Sequence, residues 1–153
     1  MKQRVSALLA VATLATLTLA GQASAATTGT SAEAARTTAT VRPASDQVLD
    51  APAALERGES WTSDTARLVM QTDGNLVVYD EFGRARWATS TVNQGWRAVF
   101  QTDGNFVVYT RTGRPVWNSQ TAGHPGSRLV VQNDGNVVIY DGSQAIWNTG
   151  TAH

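Results

Sequence analysis

Three stretches of this chain carry the same polar side chains at the same offsets. Gln71–Tyr79 reads QTDGNLVVY, Gln101–Tyr109 reads QTDGNFVVY and Gln132–Tyr140 reads QNDGNVVIY. The shared pattern is Gln-x-Asp-x-Asn-x-Val-x-Tyr, repeated at spacings of 30 and 31 residues. Each copy offers a carboxylate that accepts hydrogen bonds, two carboxamides that donate and accept, and a phenol hydroxyl on an apolar ring. The Val adds a small apolar spot. Such a set suits a neutral ligand dense in hydroxyls with C–H patches between them, as a sugar ring is. One Asp-Gly-Asn turn followed by Val and Tyr is ordinary hairpin chemistry and needs no ligand. Three complete copies ask for more, because hairpin geometry does not require Gln and Tyr at those offsets every time.

The elements that must position these groups are short strands. A Trp follows each copy, at Trp87, Trp117 and Trp147. Fixed-period similarity of this kind marks one supersecondary unit used three times, with a core the copies share. Asp-Gly between alternating apolar runs signals a hairpin. In the second unit the spacing predicts a strand over 98–102, a turn at Asp103-Gly104-Asn105 and a returning strand over 106–109. Another turn follows at Arg111-Thr112-Gly113, then a strand carrying Val116 and Trp117. Glu81-Phe82-Gly83 and Asp141-Gly142-Ser143 take the second turn's place in the other units. Fourth strands are expected around Trp61, around Trp96 and over 123–127. Alternation sends Leu68, Met70, Leu76 and Val78 inward, with Ala98, Phe100, Phe106 and Val108, and with Leu129, Val131, Val137 and Ile139. The motif residues then converge on the outward face. No stretch holds a helical period with capping residues, so no long helix is expected.

The chain before these units has a different character. Residues 1–25 read as a signal peptide: Lys2 and Arg4, an uncharged apolar run to Leu19, and a small-residue cleavage site at Ala23-Ser24-Ala25. That run is diluted by Thr and is shorter than the roughly 20 residues a membrane span needs. A secreted product without membrane insertion is the expectation. Residues 26–45 are Ala, Thr and Ser with almost no large apolar side chain, as in a disordered linker or leader. The domain is placed at 46–153, which holds all five Trp and all three Tyr. Without Lys2 and Arg4, ten basic residues face twelve acidic ones. That balance argues against nucleic acid as a partner, which wants a concentrated basic surface. With no Cys, an exported domain must be held by its core. Enzymatic readings fail for want of groups: two His, no nucleophile elbow, and motif carboxylates dispersed in separate units without a paired acid. The Asp-Gly-Asn turns lack the further oxygens of a calcium loop, so neither metal nor cofactor is expected.

With these residues in view, 46–153 resembles the bulb-type (monocot mannose-binding) lectin domain. The three motif copies, the Trp after each, and the ending Ile146-Trp147-Asn148-Thr149-Gly150-Thr151 carry the likeness. The resemblance implies an all-β fold, β-prism II: three four-stranded sheets about a pseudo-threefold axis with the Trp residues at its centre. It also implies metal-free recognition of α-D-mannose in glycans or mannans. In that family the Asp and Asn bind the axial O2 hydroxyl, the Gln O3 and the Tyr O4, while the Val packs on C3 and C4. Carried over, the sites are Gln71, Asp73, Asn75, Val77 and Tyr79; Gln101, Asp103, Asn105, Val107 and Tyr109; and Gln132, Asp134, Asn136, Val138 and Tyr140. Plant members join the first motif to the second unit by a disulfide, whose places here correspond to Gly74 and Trp96. Self-association through the C-terminal strand is a further expectation. Lectin-like bacteriocins and inhibitory proteins resemble the same scaffold and form the alternative, but they are associated with degenerate motifs, and bacteriocins with paired domains.

Overall fold

The computed structural model describes residues 45–153, so the expected signal peptide and nearly all of the expected linker lie outside the described residues. Every regular element among the described residues is a strand. Three short ones lead: β1 (Gln47–Asp50), β2 (Ala53–Glu56) and β3 (Ser60–Thr62). Three triplets follow. They are β4 (Ala66–Met70), β5 (Leu76–Asp80) and β6 (Ala85–Ala88); β7 (Arg97–Phe100), β8 (Phe106–Tyr109) and β9 (Pro115–Asn118); and β10 (Arg128–Val131), β11 (Val137–Asp141) and β12 (Gln144–Asn148).

Each triplet is an antiparallel meander, and each leading strand completes one of them. The sheets run β3-β4-β5-β6, β2-β7-β8-β9 and β1-β10-β11-β12. This is the expected β-prism II arrangement of three four-stranded sheets. The fourth strands are a partial correction. Trp61 does lie in one, but the other two come from the leading segment and not from Trp96 or residues 123–127. Trp96 donates a single backbone bond to the Tyr109 carbonyl (2.7 Å). Gly123 and His124 bend over Asp103 and donate to its carbonyl at 3.0 and 2.9 Å, which makes that segment a turn. The hairpin strand also ends earlier than expected, at Phe100. Gln101 already belongs to the turn: its N–H meets the Asn105 carbonyl at 2.8 Å, and its carbonyl receives Gly104 N–H at 2.9 Å. That closure needs a left-handed residue, and Gly104 supplies it at φ 87°.

The twelve side chains expected inside are all buried, each at 0 or 1 % exposure. The three repeated Trp close on one another against this core. Their ring centroids are 5.4, 5.7 and 5.8 Å apart in edge-to-face geometry, and each ring is half-buried. Edge-to-face packing sets the positive rim of one ring against the negative face of the next.

The junction between the first two triplets, where a disulfide staple is absent, is held by close backbone contact. Gly74 packs directly on Gly95, and a Cβ at position 74 would come within 2.6 Å of the Gly95 oxygen. The contact is therefore between Gly74 and Gly95, one residue before the Trp96 position that sequence comparison indicated. Arg57 closes over it. Its Nε donates to the Gly95 carbonyl at 3.0 Å and Nη2 donates to the same oxygen, while its guanidinium lies 4.6 Å over the Trp96 ring. Hydrogen bonds from a charged donor contribute roughly 1.5–3 kcal/mol. Arg57→Ala should lower unfolding stability by about 1–2 kcal/mol, read as a shift in the urea midpoint. An unchanged midpoint would mean that the glycine contact holds the junction alone.

Candidate functional site

Each motif lies on the outward face of its sheet, and the hydrogen bonds that hold it assign its polarity. The Asp folds back on its own turn: Oδ1 accepts the Asn N–H two residues on at 2.9 Å in all three copies. That leaves Oδ2 of the exposed Asp73, Asp103 and Asp134 as an outward acceptor. The Asn is oriented by donors behind it. Its Oδ1 accepts the backbone N–H of Thr91 (3.0 Å), Thr121 (3.2 Å) or Thr151 (3.2 Å). With Oδ1 so engaged, the Nδ2 amide of Asn75, Asn105 and Asn136 is left as the outward donor. An acceptor beside a donor matches one hydroxyl that both gives and takes a hydrogen bond.

Gln and Tyr form the other half of each site. The Gln Nε2 donates to the Tyr hydroxyl at 2.6 Å for Gln71–Tyr79 and 3.0 Å for Gln132–Tyr140, and the Gln101–Tyr109 pair makes the same bond. The phenol hydrogen and the Gln oxygen have no protein partner among the described residues and can serve a ligand. Val77, Val107 and Val138 are only 2–3 % exposed, so the apolar spot read from the sequence is nearly covered. In the second sheet the half-exposed Val99 and the exposed Pro52 line a shallow hollow of about 380 Å³ with Gln101, Thr102 and Asp103.

Two recurring features around the motif escaped the sequence reading. After each repeated Trp comes x-[Ser/Thr]-x-Thr: Thr89 and Thr91, Ser119 and Thr121, Thr149 and Thr151. The two hydroxyls bond one another, and the second donates to the motif glycine's carbonyl at 2.7–2.8 Å. This ladder fixes the Asp-Gly-Asn turn from behind. The second feature is an Arg four residues before each motif Gln, at Arg67, Arg97 and Arg128, directly opposite Tyr79, Tyr109 and Tyr140 in register. The equal offset was visible in the sequence, but an exposed Arg in a strand carries no weight until its neighbour is known.

The third motif turn is tied to the first sheet by His153. Nδ1 donates to the Thr151 carbonyl and Nε2 to Glu81 Oε2, both at 2.9 Å, so the ring needs both protons. The Thr151 carbonyl and then the Glu81 carboxylate raise its pKa above the ordinary 6.5, while the His153 hydrogen bond lowers Glu81 below its ordinary 4.5. Stability from the raised His is fully present below pH 6.5 and lost as pH climbs through its folded value. Stability from Glu81 is present above pH 4.5 and lost as pH falls through its lowered value. The clamp therefore acts between those limits. Melting temperatures from about pH 5 to about pH 9 should fall on the alkaline side for the parent and flatten for His153→Gln. Parallel curves for the two proteins would contradict the clamp.

Comparison with known proteins places this arrangement among lectins. A monomeric monocot mannose-binding lectin from Gastrodia elata is 39 % identical, with a TM-score of 0.63 over 69 % of this chain and 98 % of that one. The mannose-specific agglutinin of snowdrop (Galanthus nivalis) bulbs, solved with methyl-α-D-mannoside, is 38 % identical. Its TM-score is 0.57, over 69 % of this chain and 97 % of its own. The B-type lectin plumieribetin of Scorpaena plumieri is 49 % identical over 37 residues, which are 24 % of this chain and 33 % of that protein. The chain thus spans about a third of that curated relative. No protein-family model matches the chain. The expected self-association through the C-terminal strand finds no support in these relatives.

Proposed function

The chain belongs to the bulb-type mannose-binding lectins, and from that membership we propose that it is a secreted lectin taking α-D-mannose at three outward sites. It is a carbohydrate-binding protein and not an enzyme, as its relatives are. The observation that carries the mannose reading is the threefold pairing of a free Asp Oδ2 with a free Asn Nδ2, flanked by a Gln–Tyr bridge. That pair is built for one hydroxyl, and the bridge supplies an acceptor and a donor for its neighbours on the ring. In this reading residues 1–25 direct export, 26–45 are a spacer, and 46–153 bind glycans.

Recognition needs no metal, because each site frees one carboxylate oxygen and a calcium ion asks for six or more oxygens. A glycan array with the mature protein should light up terminal α-mannose structures, with signals unchanged by EDTA. Signals confined to galactose, or lost on chelation, would overturn the proposal.

A further inference from the structure

Beside the first and second sites the surface continues into a hollow, and the surroundings of the three motif Tyr differ in charge. Next to the first site the hollow is about 280 Å³ and contains Tyr79 and Arg67, but also Asp64, Asp80 and Glu81. Burial pushes the Asp80 carboxyl up, yet the Arg84 and Phe82 N–H groups and the Arg84 and Arg86 guanidiniums outweigh it and keep Asp80 ionised. In the third sheet Arg128 stands opposite Asp50, and Asp141 bonds His124 at 2.8 Å. The second sheet has Thr110 where the others have Asp80 and Asp141, and its turn adds Arg111 and Arg114.

The second hollow, about 350 Å³, is lined by Trp96, Arg97, Thr110 and Arg111, with Glu56 across from Arg97 as its lone carboxylate. A neighbouring hollow of about 380 Å³ shares Trp96 and Arg111 and adds Arg57 and Arg114. Among the described residues none of these four Arg has a carboxylate within 4.0 Å. Arg111 is held 5.3 Å over the Trp96 ring, a placement that reduces the entropy lost when it engages a ligand. The site's own Tyr109 faces Arg97 in register, and its carbonyl receives the Trp96 N–H, so the hollow adjoins the site.

From this contrast we infer that the second site is extended to read an anionic group, a carboxylate or a phosphate ester, carried by the sugar residue next to the bound mannose. A planar guanidinium fork matches either group with two parallel hydrogen bonds. The inference rests on mannose occupying the second motif. The first and third sites serve the neutral chain of the same glycan.

The test compares immobilised neutral mannan, phosphorylated mannan and a mannan bearing uronic acids, with heparin and single-stranded DNA as non-mannose polyanions. The parent should bind at least one acidic mannan roughly three- to tenfold tighter than neutral mannan at low salt, the gap closing by about 0.5 M salt. Whichever of the two shows the gap identifies phosphate or carboxylate as the group. Arg111→Gln/Arg114→Gln should abolish the gap while leaving neutral mannan binding and the melting temperature unchanged. Equal binding of all three mannans, or a gap that survives the double substitution, overturns the inference. So does heparin or DNA binding as tight as acidic mannan, which would mark a general polyanion surface. Loss of neutral mannan binding in the parent is a different result: it sinks the mannose reading, and with it this extension.

Discussion

Trp117→Ala should cost the domain about 3–4 kcal/mol, the lower part of the range for truncating a large buried aromatic, because the ring is half-buried. The substitution removes one side of the central triangle, leaving Trp87 and Trp147 with each other alone, and it strips an edge contact from Phe106 at 6.1 Å. Aromatic pairs contribute roughly 0.5–1.5 kcal/mol beyond their buried area, so the loss is larger than that of an isolated side chain. Against a typical total of about 5–15 kcal/mol this brings the domain near unfolding. Equilibrium denaturation read by far-UV circular dichroism measures it, since the substitution itself alters the fluorescence. Glycan binding should fall only in step with the folded fraction. A variant that kept its midpoint and lost sugar binding alone would make Trp117 a ligand platform instead.

The second large effect concerns binding with the fold preserved. Removing the motif Asn, as the sequence first invites, is a poor choice: its Oδ1 holds a Thr N–H in every copy, so Asn→Ala loosens the turn. Asp→Asn is cleaner. Oδ1 can still accept the N–H two residues on, while the outward atom changes from acceptor to donor and stands beside another donor. A ligand hydroxyl then has nowhere to give its proton. Loss of a hydrogen bond to a charged group is worth roughly 1.5–3 kcal/mol, about 10- to 100-fold per site. Sites acting together on a multivalent ligand gain roughly 10²–10⁴ over one site, so the triple variant Asp73→Asn/Asp103→Asn/Asp134→Asn should lose mannan capture entirely. Its melting curve should overlay the parent's, and undiminished capture would remove the three Asp from the site.

Much of this architecture was readable from alternation and turn chemistry. The inward twelve residues, the hairpins and the convergence of Gln, Asp, Asn and Tyr follow from period-two patterning around Asp-Gly-Asn. What failed was non-local. β1 and β2 are four residues each, with Ala, Gln and Asp among them, and their place is decided by pairing with strands some 45 to 80 positions further on. No local signal carries that. A fourth strand was expected around Trp96, yet its ring serves two guanidiniums at the surface. The Gln101–Tyr109 bond is a rotamer fact invisible in spacing. The Arg opposite each motif Tyr was equally periodic in the sequence, but its meaning lies in the strand register.

Isothermal titration of the mature protein with methyl-α-D-mannoside bears most directly on three equivalent sites. Shallow, exposed sites predict weak intrinsic affinity, near millimolar or about −4 kcal/mol. Saturation should require three equivalents per chain, falling to two when Asp103 alone is changed to Asn. One equivalent per chain, or three that persist in the triple Asp→Asn variant, would contradict it.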